Sequence, residues 1–371
     1  MVIGLFPELA GPGGIQRVGR HVGAVTAEWA AERGEACQFL SVNDPPGQHR
    51  IHLAGREFVF TGFARGKSAF AWHALRAAGR SGTASGVVLA AHVNLAPVAA
   101  LVKLRQPGWG MMVLTHGVEV WEPVGSLRRW ALKRADVVLA PSRDTAEKVV
   151  QRQGVSRERV KQAAWGLDPV LEANRNEGNH LPKGFPSGRV VLTVGQWRAS
   201  EKYKGLDTLV AAMPKVMARV PDAWLVAVGG GDDRERLKSL ARESGVGERM
   251  VFLDGLSQEE LRSCYAKCEV FALPSKGEGF GLVFLEAMAA GKPVIGGAHG
   301  GTPDVVEDGV TGILVPHGDS ERLAEALQRV LMDERLGKEM GRRGKERVEQ
   351  AYRFEQFANR LREILGSLCA S

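Results

Sequence analysis

Residues 276–296 read KGEGFGLVFLEAMAAGKPVIG. Glu278 and Glu286 stand eight positions apart, separated by two glycines and an apolar run with helical character. The run VFALPS precedes the stretch and PVIGGA closes it. Both are short, continuous and apolar rather than alternating, which is the pattern of strands buried on both faces of a parallel sheet. Strand, helix, strand in that order is a βαβ unit. Gly279 and Gly281 at its turn let the backbone approach a ligand closely and present the N–H groups of Phe280, Gly281 and Leu282 at a helix start, where an anion is favoured. Glu286 leans towards that helix N-terminus, as helical side chains do. Set within VFLEAMAA, it would be expensive to bury without hydrogen-bond partners.

The same alternation extends in both directions. The first half offers VIGLFPE, CQFLSV, EFVFTG, GVVLAAHV, GMMVLTHG, DVVLAPS and RVKQAAWG as strands. The second half offers RVVLTVGQW, AWLVAVGGG, RMVFLDG, VFALPS, PVIGGA and GILVPH. Helical patterns such as GLDTLVAAMPKVMARV and SERLAEALQRVLMDERL lie between them. The polar stretch at 171–189, rich in Gly, Pro and Asn, reads as a linker. The expectation is therefore an α/β chain of two doubly wound, Rossmann-like domains, spanning 1–175 and 185–354. Ligands in such sheets bind outside the carboxyl ends of the strands, so the two sheets are expected to face each other across a deep cleft.

Strand ends then become the places to look. After the first strand comes GPGGIQ, whose Gly13 and Gly14 precede a helix and can meet a phosphate or merely make a tight turn. The strand GMMVLTHG ends in His116, a hydrogen-bonding site residue or an ordinary surface histidine. Arg198, Lys202 and Lys204 follow the first strand of the second half, where cations before a helix suit a diphosphate.

Composition narrows the class. The chain has 371 residues, 44% apolar and 25% charged, as in a soluble globular protein. Its +7 net charge lies wholly in residues 1–178, with 22 Lys/Arg against 15 Asp/Glu, while the remainder is balanced at 27 each. Such a bias suits an anionic partner or a merely solvated basic face. Nucleic acid is set aside, because aromatic interleaving and any binding motif are missing. The cysteines, Cys37, Cys264, Cys268 and Cys369, are too few for a disulfide scaffold, and the Cys264–Cys268 spacing lacks a nearby His for a metal site. The apolar run Val87–Val102 is broken by His92, Asn94 and Pro97 and is too short to span a bilayer. The opening MVIGLFPELAGPGG is expected to be a strand running into a glycine turn rather than a leader. A cytoplasmic location is expected, with peripheral contact at the inner face of a membrane left open.

The Glu-x7-Glu spacing of EGFGLVFLE, followed by AMAAGKPVIG and GGTPDVVEDGVTGILVP, resembles the retaining GT-B glycosyltransferases of family 4, and the likeness runs from GPGGIQ through VGGGDDRERL to the C-terminal helix. The resemblance implies an N-terminal acceptor-binding domain, a C-terminal donor-binding domain, and a last helix, about 355–371, that packs back on the first. It assigns Glu286 to the ribose hydroxyls of a nucleotide. Glu278 is assigned to the donor sugar, and His116 to that sugar near the reacting carbon. Gly13, Gly14 and the Gly279–Phe280–Gly281–Leu282 backbone approach sugar and diphosphate. Leu253, Asp254 and Gly255 line the base pocket. Lys204 matches the family's phosphate-gripping lysine, but Gln196 stands where an arginine is usual, which leaves Arg198 or Lys202 to supply that charge.

The implied reaction moves a sugar from a nucleotide-diphosphate sugar to an acceptor hydroxyl with retention. No cofactor is expected, and no metal, since no Asp-x-Asp occurs. The acceptor is expected to be sugar-containing or lipid-linked. Basic stretches at 63–80 and 127–134 could rest on an anionic membrane or be helices with one wet face. Two alternatives stay open: a nucleotide-sugar epimerase on the same fold, or a nucleotide-sugar-binding protein without turnover.

Overall fold

The computed structural model describes residues 1–169 and 180–369. Residues 171–179 of the linker read from the sequence lie outside the described residues. The chain divides into two compact units, Met1–Pro169 with Arg353–Ser371, and Val170–Tyr352.

The first unit runs β1 (Val2–Phe6), α1 (Gly14–Ala31), β2 (Cys37–Ser41), β3 (Gly47–Leu53), β4 (Arg56–Gly62), α2 (Lys67–Arg80), β5 (Val87–Ala90), α3 (Ala96–Arg105), β6 (Gly110–Leu114), α4 (Ser126–Leu132), β7 (Val137–Ala140), α5 (Arg143–Gln153) and β8 (Val160–Gln162). Its sheet has the order β3-β4-β2-β1-β5-β6-β7-β8. All neighbours are parallel except β3 and β4. Every residue of β1, β5, β6 and β7 is buried, as a parallel sheet covered on both faces requires. Strand β3 is absent from the sequence reading. Its residues, GQHRIHL, alternate exposed and less exposed side chains. This edge strand pairs antiparallel with β4, so it lacks the continuous apolar run that marks its neighbours. The C-terminal helix, Phe354–Cys369, belongs to this unit. It buries Phe354, Phe357, Leu361 and Leu365, with Phe354 edge-on to His21 of α1 at 5.1 Å.

The second unit runs β9 (Arg189–Val194), α6 (Leu206–Arg219), β10 (Ala223–Val228), α7 (Arg234–Glu243), β11 (Met250–Leu253), α8 (Gln258–Lys267), β12 (Val270–Leu273), α9 (Leu282–Ala289), β13 (Val294–Gly297), α10 (Thr302–Val305), β14 (Gly312–Val315), α11 (Ser320–Met332) and α12 (Glu334–Ala351). The sheet order is β11-β10-β9-β12-β13-β14, all parallel. Strand β9 pairs with β10 on one side and β12 on the other, so the winding reverses between β9 and β12. In doubly wound sheets the crevice at the reversal, outside the carboxyl ends, is the binding place. Here the two loops leaving it are 195–205 and 274–281.

Candidate active site

The 274–281 loop is held from two sides. Lys276 N–H donates to the Tyr203 carbonyl at 2.7 Å, joining it to the loop after β9. Gly301 N–H donates to the Glu278 carbonyl at 2.6 Å, and Glu278 forms a bridge with Gly300. A Cβ on Gly301 would come within 2.5 Å of the Gly279 carbonyl oxygen, so only glycine permits this approach. Gly281 takes the left-handed conformation, φ 92°, at the N-terminus of α9, and no side chain caps that helix. Phe284 N–H donates back to the Gly281 carbonyl at 3.0 Å, and the positive end of the helix favours a negative charge beside it. Phe280 is buried edge-on to Tyr352, which anchors the turn.

Both glutamates lie where this loop places them. Glu286, one turn into α9, is 5% exposed and accepts a hydrogen bond from the Tyr265 hydroxyl of α8 at 2.7 Å. Glu278 is half-buried, but its Oε1 is sealed from solvent and has no hydrogen-bond partner. Burial pushes its carboxyl above the ordinary range, Lys204 opposes this, and Glu201 adds to it. Ser275 Oγ and Thr302 Oγ1 are also buried without a partner. Buried polar groups are ordinarily satisfied, so the sealed Glu278 oxygen is a candidate for a polar ligand atom.

The loop after β9 carries the cations. Trp197 is buried, while Gln196 and Arg198 on either side of it are exposed. Trp197 N–H donates to the Gly230 carbonyl at 2.8 Å, and its own carbonyl accepts from Asp233 N–H at 3.0 Å. A Cβ on Gly231 would lie 1.9 Å from that carbonyl oxygen, and one on Gly229 1.9 Å from the Gly195 carbonyl oxygen, so both positions require glycine. Lys204 Nζ lies 2.8 Å from Glu201 Oε2, and Arg198 Nη1 lies 3.7 Å from Glu201 Oε1. Leu253 and Gly255 sit at the end of β11, with Asp254 Oδ1 accepting Gly255 N–H at 2.8 Å.

In the first unit, Gly13 (φ 127°) precedes α1, and Gly14 begins it. The loop before them is preset. Asp44 accepts Leu9 and Ala10 N–H at 2.7 and 3.1 Å, and Arg20 donates to the Leu9 and Gly11 carbonyls at 2.7 and 3.0 Å. His116 follows β6 with Nε2 2.8 Å from the Ala91 carbonyl. A carbonyl only accepts, so Nε2 carries the proton and Nδ1 of the neutral ring is an acceptor. The ring stacks on His92 at 5.7 Å. Burial foremost, then His116, lower the His92 pKa to about 4.

The structure therefore brings Arg198, Lys204, Glu278, Gly279, Phe280, Gly281, Leu282 and Glu286 onto adjoining loops and the first turns of one helix. Leu253 and Gly255 lie at the same sheet end, two strands from β9. Gly13, Gly14 and His116 lie at the carboxyl end of the other sheet. Sequence reasoning missed Tyr265, Glu201, Gly300, Gly301 and His92. The doubled glycine and the three-residue spacings Arg198–Glu201–Lys204 were readable signals; nothing near Glu286 in sequence points to Tyr265. Cys264 and Cys268 are buried, with thiols pushed up to about 12 by burial.

The profile of the Glycosyl transferases group 1 matches residues 184–347, and that of Glycosyltransferase Family 4 matches residues 18–170. The chain is 40% identical over 288 residues, 73% of each chain, to a GDP-mannose-dependent alpha-(1-6)-phosphatidylinositol monomannoside mannosyltransferase of Mycobacterium tuberculosis. It is 34% identical over 302 residues, 73% of this chain and 74% of the relative, to the protein of the same name in Mycolicibacterium smegmatis. The chain belongs to the group 1 glycosyltransferases. This glycosyltransferase has the GT-B fold. It superposes on sucrose-phosphate synthase from Thermosynechococcus elongatus with a TM-score of 0.79 and 26% identity, covering 100% and 99% of the two chains. It also superposes on Anabaena HepE in complex with UDP and glucose with a TM-score of 0.79 and 19% identity, covering 99% and 100%. Among the described residues, no helix of the glycosyltransferase is long and apolar enough to cross a membrane.

Proposed function

We propose that this glycosyltransferase transfers a hexosyl group from a nucleotide-diphosphate sugar to a hydroxyl of a glycolipid or polysaccharide acceptor, with retention and without a metal. The observation that carries the reading is the loop after β12. There a carboxylate with an unpartnered, sealed oxygen (Glu278), an uncapped helix start (Gly281) and a buried carboxylate held by a tyrosine (Glu286) occur within nine residues. Glu286 takes the ribose hydroxyls, Glu278 the donor-sugar hydroxyls, and Leu253 and Gly255 border the base. Lys204, Arg198 and the N–H groups of α9 stabilise charge growing on the departing diphosphate. Gly13 and Gly14 allow close approach in the first unit, and His116 accepts a sugar hydroxyl at Nδ1. The departing phosphate oxygen takes the acceptor proton. GDP-mannose is the first donor to try, because the mycobacterial relatives are named for it.

Peripheral contact with an anionic membrane, on its cytoplasmic side, completes the reading. Between Glu57 and Glu119 the chain carries no Asp or Glu, and neither does α4. Helices α2, α3 and α4 lie side by side. They expose Trp72, Leu104 and Leu127 among Arg76, Arg80, Arg105 and Arg128. Exposed apolar side chains set among arginines are what an anionic bilayer attracts.

A screen of nucleotide sugars against simple and lipid-linked acceptors, read by mass spectrometry, tests the proposal. A glycosylated acceptor is expected. Product of epimerisation from donor alone, or binding with no product in any pair, would replace it with one of the two alternatives.

A further inference from the structure

Both cations that the proposed donor site offers to a diphosphate are already engaged by one carboxylate. Glu201 reaches Lys204 at 2.8 Å and Arg198 at 3.7 Å, and its side chain is 21% exposed against 15% for Lys204. The arrangement has a local cause. Glu201 departs from helical geometry (φ −115°, ψ 25°) within the 3-10 segment Ala199–Lys204. Its carboxylate lies three residues from each cation. The segment is fixed at both ends, by Ala199 N–H donating to Asp232 Oδ1 at 2.8 Å and by the Tyr203 carbonyl accepting from Lys276. Glu278, whose carboxyl is pushed upward by burial, also lies within electrostatic reach of Lys204. Arg198 and Lys204 thus share the Glu201 carboxylate, which an incoming anion must displace or outcompete to reach either of them.

We propose that Glu201 is a built-in counter-anion of the diphosphate site. It holds Arg198 and Lys204 in place when no nucleotide is bound, and a diphosphate oxygen displaces it when the donor enters. The inference rests on the donor-site reading above and adds to it a residue that limits affinity. Exchange of one anion for another keeps both cations ordered. It also keeps the nucleoside diphosphate product from binding as tightly as two unopposed cations would hold it.

The test is calorimetric titration of GDP and of UDP into the full chain and into Glu201→Gln, which keeps a hydrogen-bond acceptor and removes the charge. Whichever nucleotide binds the wild type is expected to bind Glu201→Gln about fivefold more tightly, the factor that one partly exposed ion pair represents. The gain is expected to shrink at high salt and to disappear in a Lys204→Ala background. Product inhibition is expected to strengthen in parallel. Glu201→Asp, which keeps the charge on a shorter stem, covers the case in which Glu201→Gln does not fold and is expected to give a smaller gain. Unchanged or weaker nucleotide affinity in the folded variant overturns the inference and makes Glu201 a structural partner of Lys204. Unchanged affinity in Lys204→Ala alone overturns instead the donor-site reading on which it rests.

Discussion

Replacing Glu286 with Ala removes the carboxylate on which nucleotide recognition is proposed to depend, and the structure gives the size of the effect. Glu286 is 5% exposed and receives the Tyr265 hydroxyl at 2.7 Å. Its orientation is therefore set before a ligand arrives. Each hydrogen bond from a ribose hydroxyl to a charged acceptor contributes about 1.5–3 kcal/mol. Two such bonds make a loss of at least about 3 kcal/mol, roughly a hundredfold in Kd. Tyr265→Phe acts differently. It leaves the buried carboxylate with one donor fewer, so stability falls by about 1.5–3 kcal/mol while nucleotide affinity falls less than in Glu286→Ala. Calorimetric titration of GDP and UDP, paired with urea unfolding of each variant, separates the two. A folded Glu286→Ala protein with unchanged affinity for the nucleotide that binds the wild type refutes the reasoning, as does a Tyr265→Phe variant of unaltered stability.

If His116 meets the donor sugar, His116→Ala should lower turnover far more than nucleoside-diphosphate affinity; equal losses would make it a structural residue. Activity should persist in excess chelator, because Lys204, Arg198 and the α9 N–H groups act on the leaving group; complete, metal-reversible inhibition would contradict this. The His92 pKa falls to about 4 in the fold from an ordinary value near 6.5. The unfolded chain then binds the proton more tightly, so stability is full above about pH 6.5 and is lost as pH falls towards 4, by about 3 kcal/mol at most; in urea midpoints measured against pH, His92→Gln should flatten that part of the curve. Binding to acidic liposomes should exceed binding to neutral ones and weaken with salt. Each basic residue near such a surface contributes about 1 kcal/mol, so neutralising Arg128, Arg129, Lys133 and Arg134 together should release the protein while nucleotide affinity stays intact. Co-sedimentation with no preference for acidic vesicles would remove the membrane from the account.

Much of this architecture was legible because buried parallel strands must be continuously apolar, and most of the thirteen strand runs between helical segments are of that kind. The fourteenth strand, β3, was not, since an antiparallel edge strand such as GQHRIHL needs only alternation and partial burial. The site divides along the same line. Glu278, Gly281 and Glu286 form one local turn-and-helix signal, and Lys204 lies where a strand meets a helix. Tyr265 touches Glu286 across 21 residues of sequence, and Gly301 meets Gly279 across a similar gap. Such partners meet only once the helices α8 and α9 pack together and the loops after β12 and β13 are brought side by side. Glu201 is the instructive case: its spacing from Arg198 and Lys204 was visible, but only the 2.8 Å ion pair shows that the cations already have a counter-charge.

The central claim is that the second unit's β12 loop holds a nucleotide-diphosphate sugar whose sugar is then moved. Carbon NMR of GDP-mannose labelled at the anomeric carbon, followed with acceptor and enzyme present, tests it most directly. The account predicts that the label leaves the nucleotide and appears in a glycoside of the same anomeric configuration, and that Glu278→Gln and Glu286→Ala abolish or greatly slow the change. Donor recovered unchanged with every acceptor and with other labelled nucleotide sugars, an epimerised donor formed without acceptor, or a glycoside of inverted configuration would contradict it.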